Sequence, residues 1–128
     1  MCIFIIPKTG KKDLLDILKE NGCNTIRLRS WHTPVNEHFA LPQVIIFAKR
    51  IKEKRFKLWL AIYYPDASAD PGKQAIPALW DSLPLNILED SVDNYIKNVV
   101  LVLQPHIVQV GNEINNGFFW PDGNISNA

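Results

Sequence analysis

Cysteine is scarce in this sequence. Cys2 and Cys23 are too few for a disulfide framework, and two isolated buried thiols are what that number supports. Histidine is almost as rare: His32, His38 and His106 share no ligand spacing with one another or with the cysteines, so no metal site is expected. Excess charge of either sign is missing too. Fourteen basic side chains face thirteen acidic ones, a formal +1, which gives no electrostatic footprint for nucleic acid or an anionic membrane. There is no long apolar run. The opening MCIFII has five apolar residues after Met1 and no basic lead, too short for a signal peptide or a membrane span. Finally, none of the six glycines falls in G-x-G-x-x-G or G-x-x-x-x-G-K-[ST], which argues against a nucleotide site, and no cofactor is expected.

What remains is the composition of one ordinary domain: 128 residues, 47% apolar and 21% charged, enough to bury a core. Its periodicity repeats a unit of helix and strand. Leu14, Leu15, Ile17 and Leu18 recur at helical spacing, and Gly22 sits where a helix end needs positive φ, so this helix should stop at Asn21. NTIRLRSW then alternates, with Thr25, Arg27, Arg29 and Trp31 on one face and Ile26 and Leu28 on the other. A second helix, from about residue 42 to 54, turns Val44, Phe47, Ala48 and Ile51 inward, and FKLWLAIYYP supplies an apolar strand stopped by Pro65. A third, from about residue 87 to Leu103, buries a stripe of Val92, Tyr95, Ile96, Val99, Val100 and Leu103; Pro105 ends it, and VQV reads as a short buried strand. CIFII is a candidate for a further strand at the front. The basic stretch KRIKEKRFK reads as a solvated outer helix face flanking Phe47 and Ile51.

Strands joined by helices of this length run parallel, and parallel sheets carry their functional residues at the strands' carboxyl ends. Those ends hold Arg29 and Trp31, then Tyr63, Tyr64 and Asp66, then Asn112 and Glu113 in VQVGNEINNGFFWP. Arg27, Leu60 and Gln109 are expected on the sheet face away from the helices. Amides, one carboxyl group, a guanidinium and the aromatics Trp31, Tyr63, Tyr64, Phe118, Phe119 and Trp120 suit a polyhydroxylated ligand, whose ring faces stack while its hydroxyls pair with forked polar groups. A sugar comes first. Asp66 and Asp70 read as loop caps, Asp70 because it precedes Pro71-Gly72, and the Asn124-Ile125-Ser126 triplet is the kind that arises by chance.

Three segments in order resemble glycoside hydrolase family 53, the arabinogalactan endo-β-1,4-galactanases: DLLDILKENGCNTIRLRSW, ADPGKQAIPALW and VQVGNEINNGFFWP. The resemblance covers about residues 3 to 123. It implies an α/β fold of parallel strands alternating with helices, a partial (β/α)8 TIM barrel of about half the full barrel, with residues 1–128 as the N-terminal half of the catalytic domain. It implies a retaining mechanism in which Glu113 is the general acid/base and Asn112 binds the sugar's 2-hydroxyl. By the same matching Arg29 holds the catalytic carboxylates, Trp120 lines the cleft, and Tyr63 stands where the family usually has an active-site histidine. Phe118, Phe119 and Trp120 are expected to wall the acid. The implied partner is a polysaccharide, β-1,4-galactan, with no nucleic acid and no membrane, and self-association through open sheet edges is expected. Secretion follows from the resemblance, although the chain shows no signal peptide. The family's second carboxylate, the nucleophile, ends its seventh strand, and a full barrel takes about 250 residues. The chain is therefore expected as a fragment. The alternatives are a non-catalytic carbohydrate-binding remnant and a non-functional truncated product.

Overall fold

The computed structural model describes residues 12–34, 38, 40–66 and 72–125. Its elements run α1 (Leu14–Glu20), β1 (Thr25–Trp31), α2 (Leu41–Glu53), β2 (Lys57–Tyr63), α3 (Leu85–Leu103) and β3 (Ile107–Val110). The expected strand in CIFII, together with Cys2 and Asp70, lies outside the described residues.

Local chemistry explains the boundaries. Asp13 caps α1 by accepting from the Leu15 N–H at 3.0 Å. At its far end Gly22, with φ of 84°, lets the Cys23 N–H reach the Leu18 carbonyl at 2.9 Å and its own N–H reach Lys19 at 3.1 Å. The end of α2 repeats this pattern without a glycine: Arg55 takes φ of 58°, and Phe56 donates back to Ile51 at 3.1 Å. The residues give no signal for that turn, because Arg rarely adopts it. Gln104, also left-handed, closes α3 just before Pro105.

The three strands form one parallel sheet in the order β1-β2-β3, with Arg27 beside Trp59, Arg29 beside Ala61, Trp31 beside Tyr63 and Ala61 beside Gln109. One face carries Ile26, Leu28, Leu58, Leu60 and Ile62 into a core with Leu15, Val44, Ala48, Ile51, Val99 and Leu103 from the helices. Ile51, Leu58, Leu60 and Ile62 are fully buried, and burying each contributes about 1.5–3 kcal/mol. Leu60 thus corrects the expectation made for it: the two-residue period of β2 puts Trp59, Ala61 and Tyr63 on the opposite face and Leu60 against the helices.

The basic stretch does more than face solvent. Arg50 pairs with Asp13 at 3.0 Å, Lys54 pairs with Asp13 at 3.4 Å and also with Asp16, and Lys52 donates to the Leu103 carbonyl at 2.5 Å. The charges of α2 therefore tie it to both neighbouring helices. Pairs this exposed contribute little, so apolar burial dominates the docking. No helix among the described residues is long and apolar enough to cross a membrane.

The strand β3 is not buried as its apolar run suggested. Among the described residues it is the sheet's edge, and Ile107, Val108 and Val110 are 43%, 36% and 47% exposed, while Leu101 and Val102 of α3 are exposed as well. An open parallel edge beside apolar side chains is a template for association. A polypeptide of these 128 residues alone is expected to self-associate in sedimentation velocity; a sharp monomer peak with a cooperative thermal transition would contradict this.

Candidate active site

The parallel sheet delivers the ends of β1, β2 and β3 to one rim, and the loop after β3 is shaped by its glycines. Gly111 takes φ of 98°, and a Cβ there would lie 2.9 Å from Ile114 Cγ2. Gly117 takes φ of 85°, and a Cβ there would lie 1.8 Å from the Gly123 carbonyl oxygen. No side chain fits at Gly117. The spacing of GNEINNG is thus a steric requirement of a folded-back loop, held by Gly117 donating to Ile114 at 3.0 Å and Ile125 donating to Asn116 at 3.1 Å.

Between these glycines stand Asn112 and Glu113. The side-chain oxygen of Asn112 accepts from Arg27 Nη2 at 3.1 Å, while the same guanidinium donates to Gln109 Oε1 from Nε at 3.2 Å and Nη2 at 3.1 Å. Gln109 in turn donates to the Gly111 carbonyl at 2.9 Å. A forked donor and a braced amide thereby set which way the Asn112 side chain faces. Glu113 is exposed and has φ of 54°, a left-handed conformation that costs a residue with a Cβ about 1–2 kcal/mol. Non-glycine residues keep such torsions where the surroundings impose them, and these cluster at functional sites.

The other expected site residues sort differently. Arg29 lies with its guanidinium carbon 5.5 Å from the Tyr63 ring centre, and its buried Nε has no hydrogen-bond partner among the described residues. The bond to Asn112 belongs to Arg27, one turn of the pleat earlier, and no described carboxylate lies on Arg29. Tyr63 is buried, its ring centre 4.7 Å from that of Trp31. Trp120 is half-buried at the loop's far side, where its indole N–H donates to the Asn116 carbonyl at 3.3 Å.

Phe118 and Phe119 pack toward the core. Phe119 is buried 5.0 Å from Tyr64 and 6.1 Å from Trp80, and Phe118 lies 5.8 Å from Tyr64, so both pin the loop to the core beneath it. His32 joins the same cluster, 4.0 Å from Trp80 and 4.7 Å from Tyr95. Burial lowers its pKa, opposed by the charge of Asp66. Asp66 itself accepts from the Thr33 hydroxyl and from the Ala78 N–H at 2.9 Å, and so ties two loops together as a cap does.

Gln74 carries no signal of a site role in the sequence. Its side chain is buried and donates to the carbonyls of both Asn112, at 2.9 Å, and Glu113, at 3.2 Å. A glutamine in a loop carries no periodic signal of burial, so only the three-dimensional arrangement reveals it.

With this geometry in place, comparison with known proteins gives a consistent result. The Glycosyl hydrolase family 53 model matches residues 6–128. The chain belongs to that family. Its relatives include an uncharacterized protein of Niallia circulans, 39% identical over 121 residues, covering 91% of this chain and 33% of that protein. Another is the arabinogalactan endo-beta-1,4-galactanase of Thermothelomyces thermophilus, 36% identical over 118 residues, with 89% and 36% covered. Among solved structures, the Ignisphaera aggregans GH53 catalytic domain superposes with a TM-score of 0.84 at 43% identity, and a fungal beta-1,4-galactanase with 0.83 at 36%. Each of these covers 91% of this chain and 36% of the other. The family 53 chain described here thus spans about a third of the length of the relatives it matches, and its open sheet is part of a TIM barrel.

The Arg27 bridge is directly testable. Arg27→Lys keeps the charge but loses the fork, and removing hydrogen bonds to a charged group costs about 1.5–3 kcal/mol each. In a crystal structure of the variant the Asn112 amide is expected to change rotamer or lose order. An Asn112 side chain unmoved and equally ordered would show that Arg27 does not hold it.

Proposed function

We propose that residues 1–128 form the N-terminal half of the catalytic domain of an arabinogalactan endo-β-1,4-galactanase, a retaining glycoside hydrolase acting on β-1,4-galactan. The observation that carries this reading is Glu113: an exposed carboxyl group at the carboxyl end of a parallel strand, in a left-handed turn, next to an amide anchored by Arg27. Family membership and the named galactanases among the relatives support the substrate class.

A glycosidic oxygen leaves poorly until it is protonated, so cleavage needs an acid beside the bond and then a base to activate water. Glu113 performs both in this reading. Asn112 binds the 2-hydroxyl, whose hydrogen bonds strengthen as positive charge develops at the anomeric carbon. Arg29 and Tyr63 line the rim, with the arginine placed for a carboxylate delivered by the rest of the barrel. Trp120 offers a face on which a sugar ring stacks. Retention requires a second carboxyl group about 5–5.5 Å from the first. Asp66, on the neighbouring strand end, serves Thr33 and Ala78 as a loop tie, and in this reading the nucleophile comes from a later strand of the barrel. A polymer of galactose is met outside the cell, and secretion accords with that. No specific observation favours the non-catalytic remnant.

In a full-length protein carrying this segment, Glu113→Gln is expected to lower kcat on unactivated galactan by several orders of magnitude while binding persists; near-normal turnover would rule out Glu113 as the acid/base. The 128-residue polypeptide alone is expected to release no reducing ends above a buffer blank. Release that vanishes in Glu113→Ala would reveal a second carboxylate within these residues.

A further inference from the structure

We propose that Gln74 is a positioning residue that sets the direction of the Glu113 side chain by fixing the two peptide planes on either side of its Cα. The inference rests on the reading of Glu113 as the acid/base. The carbonyl of Asn112 belongs to the peptide preceding the Glu113 Cα, and the carbonyl of Glu113 to the peptide following it. The Gln74 Nε2 has two hydrogens, and it spends them on these two oxygens, at 2.9 and 3.2 Å. Anchoring both planes restrains φ and ψ of the residue between them, which is the residue held left-handed at φ of 54°.

Gln74 is well placed to act as a brace. It is 2% exposed, and an amide buried that deeply is retained at a cost unless its hydrogen bonds are made. Its own backbone is tied to the same loop, since its carbonyl accepts from the Trp120 N–H at 2.8 Å and Ala75 bridges to Trp120. The segment around residues 72–80 therefore lies across the loop of residues 111–120, and its buried side chain reaches the backbone at Glu113 rather than the substrate. A residue that only filled space there would have no need of a donor with two hydrogens.

The test uses the full-length enzyme. Gln74→Met keeps length and bulk but removes both donors. On galactan, whose leaving group needs protonation, kcat is expected to fall about tenfold or more with KM within about twofold. On an aryl β-1,4-galactobioside, whose phenolate leaves with little help, the first step is expected to lose less than about threefold. Hydrogen exchange at the Gly117 amide is expected to rise about tenfold, with the exchange of β1 and β2 unchanged. Gln74→Glu supplies a second signature: only the protonated carboxyl can donate, so its kcat relative to wild type should recover as the pH falls. Equal losses on both substrates, or unchanged exchange with galactan turnover within about twofold of wild type, would overturn the proposal. A Glu113→Gln enzyme with near-normal turnover of galactan would instead overturn the acid/base assignment, and the Gly117 exchange would then still decide whether Gln74 holds the turn.

Discussion

The left-handed turn at Glu113 is the constraint on which the rest of the site depends. A residue with a Cβ does not rest there unaided, and three separate elements bond to the loop around it. β1 contributes the Arg27 fork to Asn112, β3 contributes the Gln109 amide to the Gly111 carbonyl, and the loop after β2 contributes Gln74 to the two carbonyls. The parallel sheet makes this convergence possible, because it brings the carboxyl ends of strands far apart in sequence to one rim. The aromatic cluster of Tyr64, Trp80, Tyr95, Phe118 and Phe119 forms the floor beneath. Apolar burial holds the loop down while hydrogen bonds aim it.

Much of this was legible in the residues because it depends on period and punctuation. The alternation of TIRLRSW marked which face of β1 is polar, and Gly22 and Pro105 marked helix ends that the structure confirms. The segment holding GNEINNG carried the resemblance and the strand-end polar residues, and the structure adds the steric reason for its glycine at Gly117. Membership of family 53 followed from the same segments.

What was not legible depends on who meets whom across the fold. Arg27 and Arg29 stand on one strand face two residues apart, and nothing local says which one reaches Asn112; the register sets Gln109 level with Arg29, yet the longer diagonal reach of the Arg27 guanidinium makes the bonds to Gln109 and Asn112. Phe118 and Phe119 follow the acid closely, and their packing against Tyr64 and the core had no periodic signal in the sequence. β3 reads as buried from composition but lies at the sheet's edge, since burial is a property of neighbours and not of valines. Leu60 was misplaced by one step of a two-residue period, enough to move a side chain across the sheet.

The central claim is that Glu113 donates and then accepts the proton, and product stereochemistry after chemical rescue tests it most directly. In full-length Glu113→Ala with an aryl β-galactobioside, the covalent intermediate still forms at the other carboxylate, and added azide attacks it from the face that Glu113 served. NMR of the product should show the β-configured glycosyl azide, with turnover restored as azide rises. An α-configured azide would make Glu113 the nucleophile instead, and no rescue at all would remove it from the proton-transfer role.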